Sequence, residues 1–173
     1  MTDTRPVVVC DIDGTLTRQE LSFLRGHRRL GDAVWKFLVA TRLAERLLRR
    51  ALPDPDALAL LREFHEAGWY IRLVTAREAR FMHLTVEWLR EHDVPYGDLC
   101  MRPPWLDAVE HKVSCLTVIP RVSSRLPCLY LEDQLEIAEA VQERLGEPAP
   151  LIFHVTSWRL LRPVLRRLMK ELS

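Results

Sequence analysis

Net charge is almost missing from this chain: 25 Lys and Arg stand against 24 Asp and Glu. The molecule as a whole therefore carries no field that would draw it to a polyanion. Cysteine is sparse, with four residues at 10, 100, 115 and 128, no CxxC pair and no close zinc-like spacing. They are predicted to be reduced thiols, buried or incidental. No hydrophobic run reaches the roughly 18 residues that span a bilayer. The N-terminal "MTDTRPVVVC" lacks the basic region, long apolar core and small-residue cleavage site of a secretory leader. A soluble, cytosolic protein is the expectation. Repeats and low-complexity segments are missing, as is a kinase phosphate loop of the form GxxxxGK[ST]. What remains is 173 residues, 48% of them hydrophobic, enough for one compact domain with a substantial core.

Continuous apolar runs bounded by polar turns predict strands buried on both faces at "VVVC" (7–10), "YIRLVT" (70–75), "CLYL" (128–131) and "LIFHV" (151–155). Between them, apolar residues recur at helical spacing in 54–68, 77–92 and 134–146. Strands alternating with helices predict an α/β fold, a three-layer Rossmann-like parallel sheet. Two segments stand outside the alternation. Residues 32–52 read as an apolar helical stretch inserted after the first strand. They form the main part of a predicted small helical lid at about 20–52. Eight basic and two acidic residues fall between 25 and 50, which suits a solvated helix face or an anionic partner. The lid's apolar residues, among them Trp35, Phe37, Leu43 and Leu47, must pack on something. The active-site edge is expected, with a dimer interface or a membrane surface as alternatives. Residues 157–173 predict an amphipathic C-terminal helix, interrupted near Pro163 and packed on the sheet or on a second copy.

Ligands of open parallel sheets bind beyond the carboxyl ends of the strands, and there this sequence places polar, mostly acidic groups. The first strand runs into Asp11 and Asp13, which point the same way while the chain stays extended. Gly14 then permits a sharp turn. The second strand ends at Thr75, and the "CLYL" strand at Glu132 and Asp133. Two neighbouring carboxylates repel when ionised, and a divalent cation or a shared proton relieves that. A third, Asp133, would complete a hard-oxygen site suited to Mg²⁺. Thr75 and Glu78 match a helix capping box. Such a helix start also presents free N–H groups to a phosphate, and Arg77 could add a charge-assisted contact. Lys112, in "AVEHKVSCL", reads alone as a solvated helix lysine, and His111 as structural.

In order, these elements resemble the haloacid dehalogenase-like superfamily of phosphotransferases. "DIDGTLT" is similar to its first motif, the strand ending in Thr75 to its second, Lys112 on a downstream helix to its third, and "LYLED" to its fourth. The resemblance covers about residues 7–155. It implies that Asp11 is a nucleophile forming an aspartyl-phosphate and Asp13 a general acid/base. Thr75, Lys112 and the turn at Gly14 would hold the phosphoryl group. Mg²⁺ would be held by Asp11, the Asp13 backbone carbonyl, and Asp133 or Glu132. The fourth motif commonly carries two aspartates; Glu132 departs from it, leaving open which residue of the pair reaches the metal. Asp13 points to a phosphatase rather than a dehalogenase. The motif spacing resembles the phosphatase half of polynucleotide kinase-phosphatases, which act on terminal 3′-phosphates and use an arginine at the Arg77 position to contact substrate. A phosphorylated nucleic-acid end is therefore one substrate class; a small metabolite, a nucleotide or phosphatidate are others. A catalytically inactive binding module is the reading from a different class.

Overall fold

The computed structural model describes residues 5–18, 43–118, 127–146 and 149–172. The predicted lid therefore lies outside the described residues as far as position 42. In chain order the elements are β1 (Val7–Cys10), α1 (Leu43–Arg50), α2 (Pro55–Glu66) and β2 (Tyr70–Glu78). After a single 3₁₀ turn (Ala79–Phe81) come α3 (Met82–Glu91), β3 (Asp98–Arg102), α4 (Ala108–Thr117), β4 (Cys128–Glu132), α5 (Leu135–Leu145), β5 (Leu151–His154) and α6 (Trp158–Leu172).

The five strands are all parallel, in the order β3-β2-β1-β4-β5. The chain steps outward from β1 to β3, then returns to place β4 on the other side of β1. That reversal opens a crevice between the carboxyl ends of β1 and β4, the place where such sheets bind ligands.

Side-chain alternation distributes the core over both faces. Val8 and Cys10 of β1 and Leu129 and Leu131 of β4 face one layer, with Leu61 and Phe64 of α2, Trp88 of α3 and Leu165 of α6. Val9 and Tyr130 face the other, with Val109 and Leu116 of α4 and Val141 of α5. The three-layer parallel sheet expected from the alternation is thus observed. Helix α2 starts where the sequence signals it: Asp54 accepts from the N–H groups of Asp56 and Ala57, Pro55 occupies the first turn, and Gly68 lies just past the end.

Three expectations are corrected. The strand "DLCMR" (98–102) is not among those expected, being short and carrying a charge at each end. It forms an edge strand, where Arg72 satisfies Asp98 at 2.6 Å. The capping box at Thr75 does not form. Strand β2 continues to Glu78 through a register shift between Thr75 and Glu78, and the 3₁₀ turn that follows has no side-chain cap. The cause is Arg77, which the irregular strand end turns inward. Helix α6 runs unbroken through Pro163. Buried Trp158 and Leu165 anchor it on both sides of the proline, and Arg162 and Arg166 both grip Glu63 of α2. Of the predicted lid, α1 packs Ala44 and Leu48 on Phe81, Leu84 and Met101. Beyond it, the Ala51 carbonyl accepts from Trp88 Nε1 at 2.7 Å.

Candidate active site

Strands β1 and β4 run in register from Val7–Cys128 to Cys10–Leu131, so the residues that follow them emerge side by side. Asp11, Glu132 and Asp133 are all buried, and one carboxylate oxygen from each lies within 4.8 Å of the others. Lys112 reaches across from α4. The residue is 0% exposed, and its Nζ donates to Asp11 Oδ1 at 2.9 Å and to Glu132 Oε2. A lysine that sequence alone assigns to solvent is therefore enclosed at the crevice. Two negative charges hold it there.

The electrostatics follow from burial. Loss of water pushes the Asp11 carboxyl up to about 7; Lys112 opposes the rise, and Glu132 and Asp13 add to it. For Lys112, burial acts to lower the value, but Asp11 and Glu132 outweigh it and hold the ammonium above its ordinary range. Burial and the Glu132 charge raise the Tyr130 phenol, which stays protonated. Its O–H donates to Glu132 Oε2 at 2.5 Å, while Glu132 Oε1 accepts from the Gln134 N–H at 3.2 Å. Both oxygens of Glu132 are thus engaged by the protein. Asp133 Oδ1 accepts from Thr15 Oγ1 at 3.1 Å.

Asp13 stands at the rim, its side chain 47% exposed. It follows β1 into a turn that Gly14 makes with φ of +85°, a conformation that favours glycine. Arg77 clamps it with two parallel bonds, Nε to Oδ2 at 2.8 Å and Nη2 to Oδ1 at 2.7 Å. The third guanidinium nitrogen donates to Thr85 at 3.3 Å. All three nitrogens of Arg77 are committed inside the protein, and the residue is 2% exposed. Desolvation alone would lower its pKa; the Asp13 charge reverses that and holds it fully cationic. Thr75 is fully buried, and its hydroxyl accepts from the Arg77 N–H at 3.2 Å.

The structure thus brings Asp11, Asp13, Thr75, Arg77, Lys112, Glu132 and Asp133 to one sheet edge, with Gly14 at the turn. It adds residues that sequence reading passed over. Trp158 Nε1 ties α6 to the Thr15 carbonyl at 2.8 Å, and the His154 ring meets the Asp133 carbonyl at 3.0 Å. Thr15 and Tyr130 had a local signal: one lies inside "DIDGTLT", the other two residues before Glu132 on the same strand face. Trp158 and His154 had none. His111 is structural, as expected, its ring against the Cys100 carbonyl at 3.3 Å.

No protein-family model matches the sequence, and no curated protein matches it. Solved structures do. In two structures of the Pnkp1/Rnl/Hen1 complex, one described as an RNA repair complex, a chain 18% identical matches 90% of this one with TM-scores of 0.60 and 0.59. This chain spans only 47% and 44% of those chains, less than half their length. The HAD domain of effector protein Lem4 from Legionella pneumophila matches at 12% identity and TM-score 0.56, over 95% of this chain and 94% of that one. D,D-heptose 1,7-bisphosphate phosphatase from B. bronchiseptica, solved with magnesium and phosphate, matches at 9% identity and 0.54, over 94% and 99%. The fold is therefore the haloacid dehalogenase-like fold.

Proposed function

We propose that the chain is a phosphomonoester hydrolase working through an aspartyl-phosphate on Asp11. The observation that carries the reading is the buried contact of Lys112 Nζ with Asp11 Oδ1 at 2.9 Å beside Asp133, at the strand reversal. Phosphoryl transfer needs an in-line nucleophile and neutralisation of the equatorial oxygens more than it needs other covalent chemistry. Asp11 supplies the first. Lys112, with the Thr75 hydroxyl, supplies part of the second.

The donor set fits a hard divalent cation such as Mg²⁺. Three buried carboxylates face one buried ammonium, and Asp11 is raised by the uncompensated negative charge as well as by burial. Asp11, Asp133 and the Asp13 backbone carbonyl would hold the ion, which when bound offsets the charge of the phosphoryl oxygens. Glu132, both of whose oxygens the protein already uses, anchors Lys112 instead.

In the first step an Asp11 oxygen attacks phosphorus, the bond to the leaving oxygen breaks, and Asp13 gives that oxygen a proton. In the second, water attacks phosphorus, the bond to the Asp11 oxygen breaks to free inorganic phosphate and the Asp11 carboxylate, and Asp13 takes the proton of the water. The bidentate Arg77 clamp is the arrangement of Asp13 as a base. Acting as an acid, Asp13 turns one oxygen away from Arg77. With its three nitrogens engaged by Asp13 and Thr85, Arg77 acts in this reading by positioning Asp13.

The proposed substrate is a nucleic-acid 3′-phosphate. Its support is the motif spacing, the basic segment 25–50 and the fold shared with a chain of an RNA repair complex. Phosphate release from a 3′-phosphorylated oligonucleotide, a mononucleotide, a sugar phosphate, phosphatidate and an aryl phosphate, with Mg²⁺ and with chelator, tests it. The oligonucleotide should be preferred, with binding that weakens steeply as salt rises. A flat salt response with equal rates on the mononucleotide would move the assignment to small-molecule phosphatase. No release from any ester would leave a binding module.

A further inference from the structure

Tyr130 sits in the middle of β4, fully buried. It lies two residues ahead of Glu132, so strand alternation turns both side chains to one face. That face is otherwise apolar, built with Val9, Val74, Val141 and Leu116. A phenol in such a layer loses its hydration, a cost that is offset only where the hydroxyl finds an acceptor. It finds Glu132 Oε2 at 2.5 Å, the same oxygen that accepts from Lys112. The other oxygen takes the Gln134 N–H at 3.2 Å. Donors from α4, from β4 and from the turn after β4 therefore fix the carboxylate plane at both oxygens.

Glutamate has one more side-chain torsion than aspartate. Unbraced, Glu132 could rotate and carry Lys112 with it, and Lys112 makes its other bond to Asp11. We propose that Tyr130 is a positioning residue: its hydroxyl fixes Glu132, Glu132 fixes Lys112, and Lys112 is thereby held where Asp11 is phosphorylated. The hydroxyl sets the rate of phosphoryl transfer without touching substrate. The inference rests on the phosphatase reading above.

The test is Tyr130→Phe, which keeps the ring that fills the layer and removes only the hydroxyl. Turnover is expressed per folded molecule, counted from the native fraction in the urea unfolding curve. Small misplacements of reacting groups cost up to about a hundredfold, so kcat should fall about ten- to a hundredfold, with KM within about twofold. The Mg²⁺ concentration for half-maximal rate should not move, because Asp11 and Asp133 are unchanged. A merely structural role would lower the melting temperature and the active fraction but leave each surviving site at full speed. Glu132→Asp supplies a second measurement. Its shorter carboxylate no longer reaches the hydroxyl, so adding Tyr130→Phe to it should cost nothing further in kcat. Full per-site turnover in Tyr130→Phe, or an equal additional loss in the Glu132→Asp background, overturns the inference and leaves the phosphatase reading intact. A wild-type protein inactive on every ester overturns both.

Discussion

Replacing Lys112 with methionine tests the electrostatic centre of the site most severely. Methionine preserves most of the stem's volume in a position that is 0% exposed, so the substitution removes the charge without opening a large cavity. Left behind are Asp11, 2% exposed, and Glu132, 0% exposed. Glu132 keeps the Tyr130 hydroxyl and the Gln134 N–H. Asp11 loses its Lys112 donor, and the larger part of the penalty falls on it. Removing one partner of a buried ion pair costs about 3–5 kcal/mol, a fifth or more of the roughly 5–15 kcal/mol that holds a domain folded. The penalty belongs to charged Asp11, so it should shrink when that group is protonated. Urea unfolding of metal-free protein should show the full loss at about pH 8 and a smaller one at about pH 5, at unchanged denaturant slope. Lys112→Met combined with Asp11→Asn should recover at least half of it. A single variant within about 1 kcal/mol of wild type at about pH 8, or a double variant no better than the single, would refute the reasoning.

Asp11 itself has a folded-state pKa of about 7 against 3.8; its contribution to stability is complete below 3.8 and is lost as pH rises through about 7. Thermal melts of metal-free protein should fall across that window, and Asp11→Asn should flatten the fall. Glu63 runs the other way. Hydrogen bonds from Arg166 and Arg162 lower it from 4.5 to about 2, so its contribution is present above 4.5 and lost as pH falls through about 2. With these side chains partly exposed, Glu63→Gln should cost about 1 kcal/mol near neutrality after solvent screening, read by urea unfolding, and less in acid. Asp13→Ala should slow alkyl phosphates by about a hundred- to ten-thousandfold, while an aryl phosphate, which leaves without a proton, still phosphorylates Asp11. A leaving-group series by rapid quench measures the difference.

Much of this was legible before any coordinates. "VVVC" and "CLYL" are runs of buried parallel strands, and a parallel sheet delivers whatever follows such strands to one edge; Asp11 and Asp133 could be placed together from that rule. Lys112 could not. Its burial depends on two carboxylates distant in sequence, and on local pattern a helical lysine belongs in water. Only the order of motifs marked it. The capping box at Thr75 was a local preference overridden by a tertiary one: the Arg77–Asp13 clamp draws the strand end into an irregular turn before α3 begins. Strand β3 is hard to read because "DLCMR" carries a charge at each end of a short, half-buried edge strand, and α6 passes through Pro163 because anchors on both sides outweigh one lost backbone bond.

The account stands on Asp11 as the nucleophile that takes the phosphoryl group. Wild-type protein mixed with Mg²⁺ and an aryl phosphate, quenched rapidly in acid and weighed intact, should carry one added phosphoryl group, located by peptide mapping on Asp11 and missing in Asp11→Asn. Turnover that survives in Asp11→Asn, or the same adduct on Asp11→Asn, would contradict it.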